Sequence, residues 1–202
     1  MMRKYGKLAV ALCLCALFLV GCGGAKVPDI VDTPSVTVDK EGAVTVWQVG
    51  LFDKADYVLS ELQAMASEEA GQYNSSVGKS AAVAVEKVEA LEDGSGKVVV
   101  TYRFDGWESA SEFLQEVFFT GTVADAVQQG RTSGVDMESV KDGADFSEEL
   151  LQQAEGHVLI TDMKGNVYCP GKVTHMSKGA SLNPDGSINT LGVEGIACVL
   201  YE

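Results

Sequence analysis

Ala82-Val83-Ala84-Val85-Glu86-Lys87-Val88-Glu89-Ala90-Leu91, then Glu92-Asp93-Gly94-Ser95-Gly96, then Lys97-Val98-Val99-Val100-Thr101-Tyr102-Arg103-Phe104 spell out a β-hairpin. The first segment is apolar-rich, the second is a polar turn with two glycines, and in the third Val98, Val100, Tyr102 and Phe104 alternate with Val99, Thr101 and Arg103. Side chains of a strand point to alternate faces, so this pattern commits one face of the return strand to a core. A tight Gly-bearing turn between two such runs pairs them antiparallel.

Outward from the hairpin the chain mixes strands with helices. Toward the N-terminus, Val36-Thr37-Val38 and Ala43 to Val49 flank the polar turn Asp39-Lys40-Glu41-Gly42, a second hairpin rich in β-formers. Between the hairpins, from Tyr57 to about Tyr73, Val58, Leu59, Leu62, Met65, Ala66 and Ala70 recur at steps of three and four, predicting an amphipathic helix packed on a sheet. Beyond Phe104, Ser109 and Glu112 have capping-box spacing before Phe113, Leu114 and Val117, predicting a helix that starts near Ser109. Thr122 and Asp125 repeat the cap logic before a short helix at Val123 to Gln129, and Ser147 opens another with Glu148 and Glu149 in its first turn, where the helix dipole favours acids. Residues 130 to 146 have no clean period and read as a long connection.

The last 46 residues carry strand-like runs at His157–Thr161, Asn166–Cys169, Lys172–His175, Ala180–Leu182, Ser187–Leu191 and Ile196–Tyr201, separated by Gly-bearing turns such as Asn183-Pro184-Asp185-Gly186. The expected fold is α+β: antiparallel hairpins packed with two main amphipathic helices, then a β-meander C-terminal half. An α+β region at 36–130 precedes a β-rich region at 131–202, the two being separate or one continuous domain. No strand–helix–parallel strand repeat argues for a doubly wound sheet.

The N-terminus carries a different signal. Arg3, Lys4 and Lys7 precede an apolar run from Leu8 to Val20, followed by small residues, the three-part pattern of a secretory signal. The run is too short for a spanning helix, which needs roughly 20 apolar residues. Leu19-Val20-Gly21-Cys22 resembles a bacterial lipobox. The resemblance implies cleavage between Gly21 and Cys22, a diacylglyceryl group on the Cys22 sulfur, and a lipoprotein held on the extracytoplasmic face of the bacterial cell membrane. Two acyl chains anchor stably where one does not. Residues 1–21 are then the signal peptide and 22–35, with Pro28, Pro34 and no periodicity, a flexible tether.

Removing residues 1–21 leaves 12 basic and 29 acidic side chains, a balance of −17. Nucleic-acid binding needs Lys and Arg to displace counterions from phosphate, so it is excluded as a role. Anionic headgroups are repelled as well, and the lipid is left as the membrane contact. Export permits a disulfide, and Cys169 and Cys198 are the two remaining thiols. The competing arrangement is two reduced thiols buried in strands.

Motifs that would carry chemistry are incomplete. Gly78-Lys79-Ser80 matches the end of a phosphate loop, but Tyr73 stands where its first glycine belongs, and the segment follows a helix instead of opening one. No nucleotide is expected. Asn183, Asp185, Ser187 and Asn189 echo a calcium loop that lacks its bidentate twelfth ligand, and His157, Cys169, His175 and Cys198 lack the paired spacing of a zinc site. The sequence calls for no metal or other cofactor and singles out no catalytic residue among its acids. Trp47, Trp107, Phe118 and Phe119 are the candidate partner surface, because aromatic residues anchor interfaces, and core burial is the alternative for each.

Beyond the lipobox, the Val36–Val49 hairpin, Phe52-Asp53 leading to a helix that closes at Tyr73-Asn74, the second hairpin, and Phe119-Thr120-Gly121-Thr122-Val123-Ala124-Asp125-Ala126 resemble small lipoproteins of unknown function from Gram-positive gut anaerobes. The resemblance implies a cell-surface module and brings no activity or cofactor with it. The expected role is a noncatalytic binding or interaction module for an envelope protein or an extracellular ligand. An envelope hydrolase is the alternative, and a small solute-binding protein is disfavoured by chain length. A pocket with two convergent, desolvated carboxylates would favour the hydrolase; an exposed aromatic patch without a cleft would favour the module.

Overall fold

The alternating strand predicted at Lys97–Phe104 lies inside a seven-stranded sheet of a computed structural model that describes residues 25–54 and 56–202. The expected signal peptide, with its cleavage at Gly21, and the expected lipidation at Cys22 fall outside the described residues. In chain order the elements are β1 (Ser35–Val38), β2 (Val44–Leu51), α1 (Leu59–Ser76), β3 (Val83–Ala90), β4 (Lys97–Phe104), α2 (Trp107–Leu114), β5 (Phe118–Thr122) and α3 (Val123–Gln128). There follow β6 (Met137–Ser139), β7 (Asp145–Phe146), α4 (Glu148–Gln153), β8 (His157–Thr161), β9 (Asn166–Tyr168), β10 (Val173–Ser177), β11 (Ser181–Leu182), β12 (Ile188–Asn189) and β13 (Ala197–Tyr201). The α+β class and the strand-rich C-terminal half are as the sequence predicts.

The larger sheet runs β11-β12-β9-β1-β2-β4-β3 and the smaller β5-β8-β13-β10-β6-β7. Both predicted hairpins form, β2 pairing with β4 from Val44 opposite Phe104 to Leu51 opposite Lys97. The C-terminal strands are then dealt between the two sheets: β9, β11 and β12 extend the larger one, with β9 parallel to β1, while β8, β10 and β13 build the smaller. Among them only β11 and β12 are neighbours both in sequence and in space. Both sheets therefore combine strands from before and after residue 130.

One core lies between the sheets. Val36, Val46, Tyr102 and Phe104 of the larger sheet meet Phe118, Leu159, Val199 and Tyr201 of the smaller, with Ala66 and Ala70 of α1 and Ala110 of α2 closing the same cluster. A second core covers the other face of the smaller sheet, where α3 and α4 bring Val123, Ala126 and Leu151 onto Phe119, Ile160, Cys198 and Leu200. Strand alternation explains the split, since Cys198 and Leu200 point one way along β13 and Val199 and Tyr201 the other.

Several local expectations are corrected. Ser109 does not cap α2: the helix begins at Trp107 behind extended Gly106, and the Ser109 hydroxyl donates to Asp105 Oδ1 at 2.6 Å from inside the first turn. Thr122 and Ser147 do cap α3 and α4, their hydroxyls accepting from the N–H of Asp125 and Leu150. The connection 130–146 contains β6 and β7, which extend the smaller sheet beyond β10. On α1, Met65 and the preceding Val58 face solvent, and the buried contact is made by Ala66 and Ala70.

The flexible tether expected at 22–35 is packed where it is described. Ala25 lies against the turn at Gly186, Asp29 and Ile30 lie beside the β3–β4 turn, and the Asp32 carbonyl accepts from Lys97 Nζ at 3.0 Å. Val31 is buried. Val99 and Thr101, which alternation turns away from the inter-sheet core, are buried as well. A segment read as solvated linker thus touches the β11–β12 turn, the β3–β4 turn and Lys97 before entering the larger sheet as β1.

Candidate functional site

The inter-sheet core is open at both ends of β8. At the His157 end, a cleft of about 370 Å³ lies between the β1–β2 turn, Thr120 and Gly121 of β5, the Pro170–Gly171 turn and the chain end at Tyr201–Glu202. Tyr201 forms its floor, stacked on His157 with ring centroids 5.7 Å apart and its hydroxyl 3.3 Å from Thr120 Oγ1. Burial pushes the Tyr201 hydroxyl above its usual range, the Thr120 contact only partly offsetting it. Gly171 is required here because any Cβ would overlap the Glu202 carbonyl. At the rim, partial burial works to raise the Asp39 carboxyl, but Arg103 at 2.6 Å and the N–H groups of Ala43 and Glu41 hold it below its ordinary value. This cleft is largely apolar, and of the two acidic residues in its lining Asp39 is already paired with Arg103 while Glu202 lies exposed after β13.

The cleft at the other end of β8 is larger, about 500 Å³, and polar. Val46, Trp47, Gln48 and Val49 line it from β2, Pro34 from the entry to β1, Glu116 from the α2–β5 turn, and Asp162, Met163 and Lys164 from the exit of β8. Glu116 is placed by an unusual turn: Gln115 ends α2 in the left-handed region at φ 56, the only non-glycine residue there among those described. The Glu116 carbonyl accepts from Ser111 Oγ at 2.6 Å, fixing the turn to the helix. Asp162 is oriented by the Val117 N–H, which donates to its Oδ1 at 2.8 Å.

Charge in this cleft is unbalanced. Burial raises the Glu116 carboxyl above its ordinary range, and the Asp162 charge raises it further. Lys164, the one basic residue of the lining, spends its ammonium on the carbonyls of Val193 at 2.7 Å and Gly195 at 2.8 Å. Neither carboxylate has an ion-pair partner among the described residues. The arrangement can receive a cationic or hydrogen-bond-donating group, and a protonated Glu116 can itself donate.

The aromatic residues expected to form a partner surface are placed otherwise. Phe118 and Phe119 are buried, one in each core, because adjacent strand positions face opposite ways. Trp107 is half-buried with its ring 5.2 Å from Phe119 and the Arg131 guanidinium over both, a cation–π cap that occupies the face a partner would need. Trp47 is half-buried and lies among the β2 residues that line the larger cleft, so of the four it is the one placed at the candidate site. Sequence reasoning missed Glu116 and Asp162, for which no motif or spacing distinguishes two acids among 29.

The remaining candidates are dispersed. Cys169 and Cys198 are free and buried, the reduced arrangement of the two that the sequence left open, the first in the inter-sheet core and the second in the core under α3 and α4. Burial raises both thiols, Cys198 to about 12, so neither is a ready nucleophile. His175 stacks on Phe146 at 3.8 Å, apart from the His157–Tyr201 pair. Lys79 of the phosphate-loop echo pairs with Asp105 at 2.8 Å, and Asn183–Gly186 is the turn between β11 and β12, its ends joined by the Gly186 N–H to the Asn183 carbonyl. No helix among the described residues is long and apolar enough to cross a membrane.

Compared with protein-family models, with curated proteins and with solved structures, the chain matches none of them.

Proposed function

We propose that the protein is a lipid-anchored, extracytoplasmic binding module that takes its ligand in the polar cleft between Gln48, Glu116 and Asp162. The observation that carries this reading is the unbalanced charge there: two carboxylates in an open cleft, one held against ionisation by the other, with the only lining lysine committed to carbonyls. A cationic group between Glu116 and Asp162 relieves their repulsion, and an envelope protein or extracellular ligand presenting an amine has the matching chemistry. The lipid on Cys22 supplies the membrane attachment.

The test is affinity capture from intact cells with the lipidated protein, compared with a Glu116→Gln/Asp162→Asn variant. A partner retained by the native protein and lost at least tenfold by the variant supports the module. Equal recovery by both would remove the cleft from the interaction.

One observation favours a hydrolase as the second reading. A carboxyl whose ionisation is opposed first by burial and then by a neighbouring carboxylate is the kind of group that acid–base chemistry uses. Turnover of an envelope polymer by purified protein, abolished by Glu116→Gln while binding survives, would replace the module with the enzyme.

A further inference from the structure

The packed N-terminal segment fixes where the anchor meets the body. A Cβ built at Gly186 would lie 3.7 Å from the Ala25 Cβ, so the chain passes the tip of the β11–β12 hairpin three residues after Cys22. Three extended residues span at most about 10 Å. A diacylglyceryl-bearing cysteine sits at the membrane interface, which brings the hairpin to the bilayer surface instead of letting it hang some fourteen residues away.

That hairpin forms the edge of the larger sheet and exposes two large apolar side chains. Leu182 on β11 is 47% exposed and Leu191, just beyond β12, is 61% exposed, whereas Ile188, opposite Leu182, is fully buried. The hairpin is braced: the Leu191 N–H donates to Asn189 Oδ1, the Ser187 N–H to Asp185 Oδ1, and Gly179 packs backbone to backbone against Gly192. With a mature balance of −17 the body is repelled by anionic headgroups, so a close contact must be made by apolar side chains.

We propose that this edge rests on the bilayer, with Leu182 and Leu191 inserted at the headgroup–acyl boundary and the lipid surface as the partner. The proposal rests on lipidation of Cys22, as does the proposed function. It orients the molecule, because α4 covers the outer face of the smaller sheet, a full layer removed from the larger sheet that carries the hairpin. Other exposed apolar side chains are scattered: Ile30 beside the β3–β4 turn, Leu51, Tyr57 and Val58 at and after the end of β2, Met65 on α1, Leu150 on α4 and Ile196 before β13.

The experiment uses full-length lipidated protein bearing one environment-sensitive fluorophore on an introduced cysteine at Leu182→Cys, Leu191→Cys, Leu150→Cys or Gln153→Cys, all exposed positions, the last two on α4. Cys169 and Cys198 are too buried to take the label. Vesicles of phosphatidylethanolamine and phosphatidylglycerol carry nitroxide groups on a fraction of the acyl chains. Labels at 182 and 191 are expected to shift to the blue and lose at least half their emission, while those at 150 and 153 lose less than a tenth. Quenching at 150 or 153 in place of 182 and 191, or at none of the four, overturns the proposal. Vesicle flotation beside a Cys22→Ser control separates the premises: protein that floats without quenching at 182 and 191 keeps its anchor and loses the hairpin contact, whereas protein that does not float loses both.

Discussion

Glu116 is the side chain whose ionisation works against the fold. Burial and the neighbouring Asp162 charge raise its folded-state pKa above the unfolded value of about 4.3. A carboxyl shifted in that direction contributes stability that is complete below the unfolded value and is lost as pH rises through the folded one. At neutral pH the ionised group therefore costs stability, and Glu116→Gln removes the cost. The expected result is a Tm higher than wild type at pH 7, converging with wild type near pH 4, by thermal denaturation at the two pH values. Partial solvation screens the repulsion, so the gain stays below about 1 kcal/mol, or a few degrees for a chain this size. A variant with no gain in Tm over wild type at pH 7 would show that neither burial nor the Asp162 charge opposes ionisation of Glu116. Residues of this kind were the least legible in the sequence. The Thr122 and Ser147 caps announced themselves by local spacing, but Ser109 had the same spacing and was pulled inside the helix by Asp105. The placement of Glu116 depends on a left-handed glutamine, a conformation that sequence assigns to glycine or asparagine.

At the scale of elements, legibility followed length. The eight-residue strands β2, β3 and β4 show their period and were readable, whereas β6 and β7, at three and two residues, are too short to show one. The N-terminal segment failed for a different reason. It has no regular structure, so no period, yet it buries Val31 and its Asp32 carbonyl accepts from Lys97. Its role predicts that Val31→Ala destabilises the protein by about 1–2 kcal/mol, as loss of buried methyl groups does in a core. Urea unfolding of the mature chain would show the midpoint falling in proportion. A change of less than about 0.3 kcal/mol would restore the tether reading, and with it an anchor free to swing.

For the whole molecule, topology decides what can fold alone. A cut near residue 130, the boundary that composition suggests, leaves β1 without β9 and β5 without β8. It also exposes Val36, Val38, Val46 and Phe118, which the C-terminal strands bury in the inter-sheet core. Composition could not reveal this, because strand partners far apart in sequence leave no local trace, and the parallel β1–β9 pair joins residues some 130 positions apart. The same interleaving builds the candidate site, since Gln48 and Glu116 come from one side of the cut and Asp162 from the other. A fragment of residues 36–130 retains β2, β3, β4 and α1, enough local pairing for residual structure but with half of its core open to water. It is expected to bind a hydrophobic dye and to unfold without a cooperative transition, whereas the mature chain unfolds in a single step seen alike by tryptophan fluorescence and by circular dichroism. A fragment that melts cooperatively, or two resolved transitions in the intact chain, would mean that the strands crossing residue 130 contribute little, and that the cleft lies between two units free to part.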